Sequence, residues 1–144
     1  MKKIVPCLSL FMLFATALLA QAAKHKSIIP PAEVAGAFAK HFHGNTATWE
    51  MEDGQYEASF TKDGHGMSAM FQKDGTLVES EMDIKKEEMP ASIMEYMKIH
   101  YKNMTIRETA KITRANGEII YEAEVKGKDI LFDEAGKFIK EVKD

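Results

Sequence analysis

The chain has 144 residues, of which 45% are hydrophobic, 19 are basic, 22 are acidic and one is cysteine. Such a composition suits a folded chain, and the length suits about one domain. One cysteine excludes a disulfide scaffold and a Cys-based zinc cluster, and the negative balance argues against nucleic acid as a partner.

The first segment reads as a targeting signal. Lys2 and Lys3 precede an uncharged apolar run from Ile4 to Ala20, and Ala20-Gln21-Ala22 places small residues where a signal peptidase reads them. The expectation is a signal peptide over residues 1–22, cleaved after Ala22. A retained anchor is the weaker reading, because the run is at the short limit of about 17–25 residues for a span and contains Pro6, Ser9 and Thr16. Cys7 lies near the start of the run, whereas a lipid-attachment cysteine would end it. Without Lys2 and Lys3 the remainder carries 17 basic against 22 acidic residues, a net charge of −5 with histidine neutral. That charge favours solubility and gives no reason to bind anionic lipid, so no membrane partner is expected after cleavage. The remainder has no cysteine, which suits an oxidising compartment.

Residues 23–29 form a short lead. Pro30-Pro31 predicts a helix start, since proline suits the first helical turn. Val34, Phe38 and Phe42 recur four apart and share a face, and Gly44 is a stop signal. Short alternating strands follow. Trp49 and Met51 alternate with Thr48 and Glu50, and Asp53-Gly54 marks a turn. Tyr56, Ala58 and Phe60 alternate with Glu57 and Ser59. Residues 62–66 turn the chain, Met67, Ala69 and Phe71 continue the alternation, and Lys73-Asp74-Gly75 turns it again before a strand over 76–84.

The pattern then restarts. Pro90 opens a second helix with Ile93, Met97 and Tyr101 four apart. A strand over 106–114 leads to Asn116-Gly117, a hairpin signal. Tyr121, Ala123 and Val125 face one way and Glu122, Glu124 and Lys126 the other. Strands at 129–132 and 137–142 complete the chain, with a turn near Gly136. Pro31 corresponds to Pro90, Tyr56-Glu57-Ala58 to Tyr121-Glu122-Ala123, Phe71 to Phe132 and Gly75 to Gly136, at offsets between 59 and 65 residues. Offsets this similar indicate a duplicated unit. The two copies span about 30–84 and 89–144, within a single domain over 23–144.

A unit of about 60 residues has a marginal core alone, so the two are expected to pool their helices on one face of a shared antiparallel sheet. The fold class is then α+β, with one sheet face covered and the other wet. Trp49, Tyr56, Phe60, Phe71, Tyr121, Val125 and Phe132 are expected in the core. Thr48, Glu50, Glu57, Ser59, Ser68, Thr109, Lys111, Glu122, Glu124 and Lys126 are expected on the wet face, with Met70 as an exposed apolar contact on it.

The order of these motifs resembles the PepSY-like family that is also described as beta-lactamase-inhibitor-like. The resemblance rests on Ala37-Phe38-Ala39-Lys40-His41-Phe42, Thr48-Trp49-Glu50, Tyr56-Glu57-Ala58-Ser59-Phe60, Met67-Ser68-Ala69 and Phe71-Gln72-Lys73-Asp74-Gly75. In the second copy it rests on Met89-Pro90-Ala91, His100-Tyr101, the stretch from Tyr121 to Gly127 and the stretch from Leu131 to Lys137. His43 stands where members usually have proline. The resemblance implies a small exported protein, mostly periplasmic in Gram-negative bacteria, with two tandem units on one curved antiparallel sheet and helices on one side. It implies no catalytic residues. The inhibitor name reports a similarity of shape, and inhibition does not follow from it.

The residues point the same way. Nucleophilic catalysis needs an activated Ser, Thr or Cys beside a base. No Gly-x-Ser-x-Gly elbow is present, and no motif sets His25, His41, His43, His65 or His100 beside a serine. The protein is read as non-enzymatic and without a cofactor. The expected activity is binding of an envelope protein or peptide, with enzyme inhibition as one form of it, through Thr48, Glu50, Glu57, Ser59, Met70, Lys111, Glu122, Glu124 and Lys126. The alternative is binding of copper or zinc through histidine and methionine, with His41 and His43 as the candidate pair. Residues two apart on a helix point to different faces, and the methionines do not form a Met-x-x-Met series, so core packing explains them better. The acid-glycine turns lack the alternating oxygen ligands of a calcium loop.

Overall fold

The structure, a computed structural model, describes residues 27–143. The expected signal peptide, with its cleavage point, lies outside the described residues. The elements are α1 (Ala32–His41), β1 (Thr48–Glu52), β2 (Gln55–Lys62), β3 (His65–Phe71) and β4 (Leu77–Asp83). After a single 3-10 turn, Lys86–Glu88, come α2 (Ala91–His100), β5 (Thr109–Arg114), β6 (Ile119–Val125), β7 (Lys128–Asp133) and β8 (Phe138–Lys143). The eight strands form one sheet in chain order, and every neighbouring pair is antiparallel.

Local chemistry explains the element ends. Pro31 and Pro90 occupy the N-cap positions of the two helices. Asp53-Gly54 and Asp63-Gly64 both take positive φ at both residues, the geometry of a two-residue hairpin whose twist matches the strands. The turns at Gly75, Gly117 and Gly136 follow another plan. In each, the glycine N–H donates to the carbonyl three residues back, and that same residue's N–H donates to the carbonyl just after the glycine. A bulge sits at Met70/Phe71 in β3 and at Leu131/Phe132 in β7, so the two units kink at equivalent places.

Both helices lie on one face. Val34, Phe38 and Phe42 of α1 pack on Ala58, Phe60, Ala69 and Phe71, with Trp49, Tyr56 and Met67 closing the edges. Phe38 is central: its ring meets Trp49, Phe60 and Phe71 edge-on at 5.4, 5.1 and 6.4 Å. Ile93 and Met97 of α2 pack with Met89 on Ala123, Val125, Ile130 and Phe132, with Tyr96, Tyr121 and Phe138 around them. All seven expected core residues therefore lie under a helix. Each unit also presses a glycine turn against its helix. A Cβ at Gly75 would come 2.7 Å from the Glu33 carbonyl oxygen, and one at Gly136 would strike Ser92 Oγ.

The phase of β5 corrects the sequence reading. Opposed residues in an antiparallel pair point to the same face. Thr109 is opposite Ala123, and Lys111 is opposite Tyr121, so both belong to the helix-bearing face and not to the wet one. The cause is position: β5 lies at the seam between the two helix-covered clusters. The covered-side positions of that strand are therefore polar, while its other side carries Ala110 and Ile112. Thr109 is buried and donates from Oγ1 to the Ile84 carbonyl at 2.6 Å.

Candidate functional site: the acidic open face of the sheet

Among the described residues, neither helix packs on the second face of the sheet. The strand register builds this face row by row. One row runs Glu50, Glu57, Met70, Glu79 and Arg114 across β1 to β5. The next runs Thr48, Ser59, Ser68, Glu81, Ile112 and Ile120 across β1 to β6. A third runs Asp83, Ala110, Glu122, Leu131 and Lys140 across β4 to β8. Glu124, Asp129 and Val142 form the last, and Glu108 joins it through the backbone bond from Glu124 N–H to the Glu108 carbonyl. Ile112, Ile120 and Leu131 cluster with Val142, giving an apolar strip among the acids.

These acids are not a solvated fringe. Glu57, Glu79, Glu81, Glu122 and Asp129 are all buried, as is Met70. Burial removes water from a carboxylate and favours its protonated form. Glu57 is pushed up to about 8, by burial first and then by the Glu52 and Glu50 carboxylates. Glu81 is raised well above the ordinary range by burial, then by Glu122, Asp83, Glu57 and Glu79. Glu108 is raised to about 7 by burial and by Glu124. Burial also raises Glu79, against the pull of Arg114, whose Nε lies 3.5 Å from its Oε2. Arg107 sits 3.8 Å from Glu124 at the margin. Glu81 is 2% exposed, and neither of its carboxyl oxygens has a hydrogen-bond partner.

The structure brings together Thr48, Glu50, Glu57, Ser59, Met70, Glu122 and Glu124 on this face, as expected. Three expectations need correction. Lys111 belongs to the other face. Lys126 lies beyond the end of β6, exposed in the turn to β7. Met70 is on the expected face but 2% exposed, and Glu57 and Glu122 are buried where wet positions were expected. The central residues Glu79, Glu81, Asp83, Glu108 and Asp129 escaped the sequence reading. The alternation of Glu79, Glu81 and Asp83 within the strand over 76–84 is the available signal.

The alternative metal pair is not built into a site. His41 ends α1, with its ring 6.3 Å from Phe42 and 6.4 Å from Phe71, and His43 is exposed in the next turn. Among the described residues, no group of three or more His, Cys, Asp or Glu side chains could hold a metal ion. Met97 and Met89 are core residues, and Met51 and Met104 are exposed at separate places. Among the described residues, no helix is long and apolar enough to cross a membrane.

A helix followed by four strands, twice over, with helices on one face and an acidic sheet on the other, is the geometry to set beside known proteins. The family described as "Putative beta-lactamase-inhibitor-like, PepSY-like" matches residues 54–140. The chain belongs to this family. Solved structures share the PepSY-like fold. A protein from Bacteroides eggerthii named as a putative periplasmic protein is 18% identical, with a TM-score of 0.74 over 80% of this chain and 89% of its own. A DUF2874 family protein from Bacteroides uniformis is 19% identical, with a TM-score of 0.74 over 80% and 90%. A BLIP-like protein from Bacteroides fragilis is 21% identical, with a TM-score of 0.66 over 82% and 89%. At these identities the likeness is one of fold. No curated protein matches the PepSY-like chain. The description of the family is inhibitor-like.

Proposed function

We propose that the protein is an exported, non-enzymatic binding protein of the periplasm, and that its open sheet face receives a protein or peptide. The observation that carries this reading is the composition of that face. The apolar strip of Ile112, Ile120, Leu131 and Val142 lies among acidic rows, on a sheet whose other face is committed to the helices. Apolar contact supplies affinity, and surrounding charge selects the partner. The periplasmic location draws on the expected signal peptide and on the fold relative from Bacteroides eggerthii. An enzyme held on this face would be inhibited where the contact covers its active site.

The test is affinity capture from an envelope extract, with Glu50→Lys and Glu124→Lys variants as controls. These two acids are half-buried rather than buried, so reversing them leaves the sheet intact more readily than reversing Glu57 or Glu122 would. A protein captured by the native chain and lost with both variants is the expected result, and it is then assayed for inhibition. Identical capture by all three chains would remove the face from the reading.

A further inference from the structure

We propose that the open face is built for a cationic segment of a partner protein, with one arginine or lysine side chain of that segment inserting between the strands' side chains to pair with Glu81. This rests on the binding role above and names its partner by chemistry.

Glu81 is the observation that separates this site from a merely acidic surface. It lies in the middle of the sheet, on β4, with Ser68 on one side and Ile112 on the other. At 2% exposure, both carboxyl oxygens lack a hydrogen-bond partner. A buried polar group without a partner is costly to the fold, and it is rare enough to call for a cause. A ligand that supplies the missing donors is such a cause. The donors must come with positive charge, because Glu79 and Asp83 flank Glu81 on the same face, and Glu57 and Glu122 add to the negative field.

The surroundings favour a long cationic side chain over a metal ion. Calcium takes several oxygens at about 2.3–2.6 Å. Here the acids around Glu81 are spaced by Ser68, Met70, Ala110 and Ile112, and no three described acids gather closely enough to share an ion. An arginine or lysine needs only one carboxylate at its tip, and apolar neighbours suit its methylene stem. Ile112 and Met70 supply that lining. Reaching Glu81 requires a neighbour to yield, and Met70, diagonal to it across β3 and β4, is the unbranched and adaptable one. The apolar strip continues from Ile112 to Val142, so the segment should carry apolar residues beside its cations.

Pairing with a cation favours the ionised form of Glu81, whereas its burial favours the protonated form. Binding should therefore release a proton near neutral pH. The carboxyls of Glu57, Glu79 and Asp83, each raised by burial, share the release, Glu122 adds its charge to the field at Glu81, and Arg114 beside Glu79 and His65 beside Asp83 are the facing cationic groups.

The experiment uses the purified protein and three synthetic peptides of equal length in which leucine alternates with arginine, lysine or glutamate. Binding is read by fluorescence anisotropy and by calorimetry in two buffers of different ionisation heat. The expected result is binding of the arginine and lysine peptides, none of the glutamate peptide, and proton release that needs no variant to detect. Glu81→Gln, which keeps the shape and removes the charge, should weaken the arginine peptide about thirtyfold or more. Glu141→Gln, on the helix-bearing face, should leave it unchanged. Equal binding of all three peptides, or cationic binding unmoved by Glu81→Gln and free of proton release, overturns the proposal. Calcium chloride binding through Glu81 with no cationic peptide bound overturns it in favour of a metal ion. Failure of the peptides alongside an envelope partner lost with Glu124→Lys rejects this partner class and leaves the binding role standing. Failure of both experiments rejects both.

Discussion

The two faces of the sheet are made by the same strands and obey opposite rules. On the helix-bearing face, buried means apolar: Phe71, Phe132, Ile130, Val125 and Ala58 have no exposed surface and pack against α1 or α2. On the open face, buried also means Glu57, Glu79, Glu81, Glu122 and Asp129. The first face converts removal from water directly into stability. The second removes carboxylates from water, which opposes folding unless they are protonated or paired. The difference teaches that the helix-bearing face holds the fold, whereas the open face is a cost that the fold carries. Such a cost is the mark of a surface shaped by something other than stability.

The sharpest way to break that contrast is to cut into the covered face. Phe71→Ala should cost about 3–5 kcal/mol, since the ring is fully buried against Phe38 and Trp49. Phe132→Ala should cost a similar amount beneath α2. Urea denaturation checks both, and a loss below about 1 kcal/mol in either would mean that its cluster is not the core described here.

The glycine turns sharpen the comparison at smaller scale. Gly75 has φ of +85° and Gly136 of +79°, and both back onto a helix. Gly75→Ala meets the backbone carbonyl of Glu33, which cannot move aside, and should cost about 1–3 kcal/mol. Gly136→Ala meets the Ser92 hydroxyl, which can rotate away, so it should cost less. Thermal melts of the pair decide it, and the reverse order would mean that the second turn is the tighter dock.

The smallest effect, and the one that addresses the open face alone, is pH. Raised carboxyls bind more protons in the folded than in the unfolded chain, so stability falls as pH rises between the two values. For Glu57 that window runs from about 4.5 to about 8, and for Glu108 from about 4.5 to about 7. The urea midpoint should therefore rise as pH is lowered from 8 towards 5. Below that range the gain is complete. Asp74 then works in the opposite sense: its value is lowered by the bond from Thr76 N–H, and its contribution is lost as pH falls through that lowered value. A midpoint that is flat from pH 5 to pH 8 would show that the open-face carboxyls are as well solvated as those of an unfolded chain.

Much of this architecture was legible in the residues. Pro31 and Pro90, the four-residue spacing of Val34 and Phe38 or Ile93 and Met97, and the Asp-Gly turns are local signals that act within a few residues. The pairing of Tyr56-Glu57-Ala58 with Tyr121-Glu122-Ala123 extended them to a duplication and an α+β sheet. Of the open-face residues, Glu50, Glu57, Ser59, Met70, Glu122 and Glu124 were legible as facing away from the aromatic side of their strands. Lys111 was not, because the helix-bearing face is not dry across its whole width, and at the seam that neither helix covers a polar side chain can point to that side. Burial of Glu57 and Glu122 was equally hidden, since exposure depends on what neighbouring strands bring alongside.

What the amino-acid sequence determined by itself was therefore the set of elements, their order and the faces of β1, β2, β3 and β6, because propensity, alternation and turn chemistry are encoded in short stretches. Only the tertiary structure decided which side chains share a row. The register of β3, β4 and β5 sets Ser68, Glu81 and Ile112 side by side, residues that are far apart in the chain. That register turns an unremarkable alternation of acids in one strand into a buried, unpartnered carboxyl at the centre of a sheet.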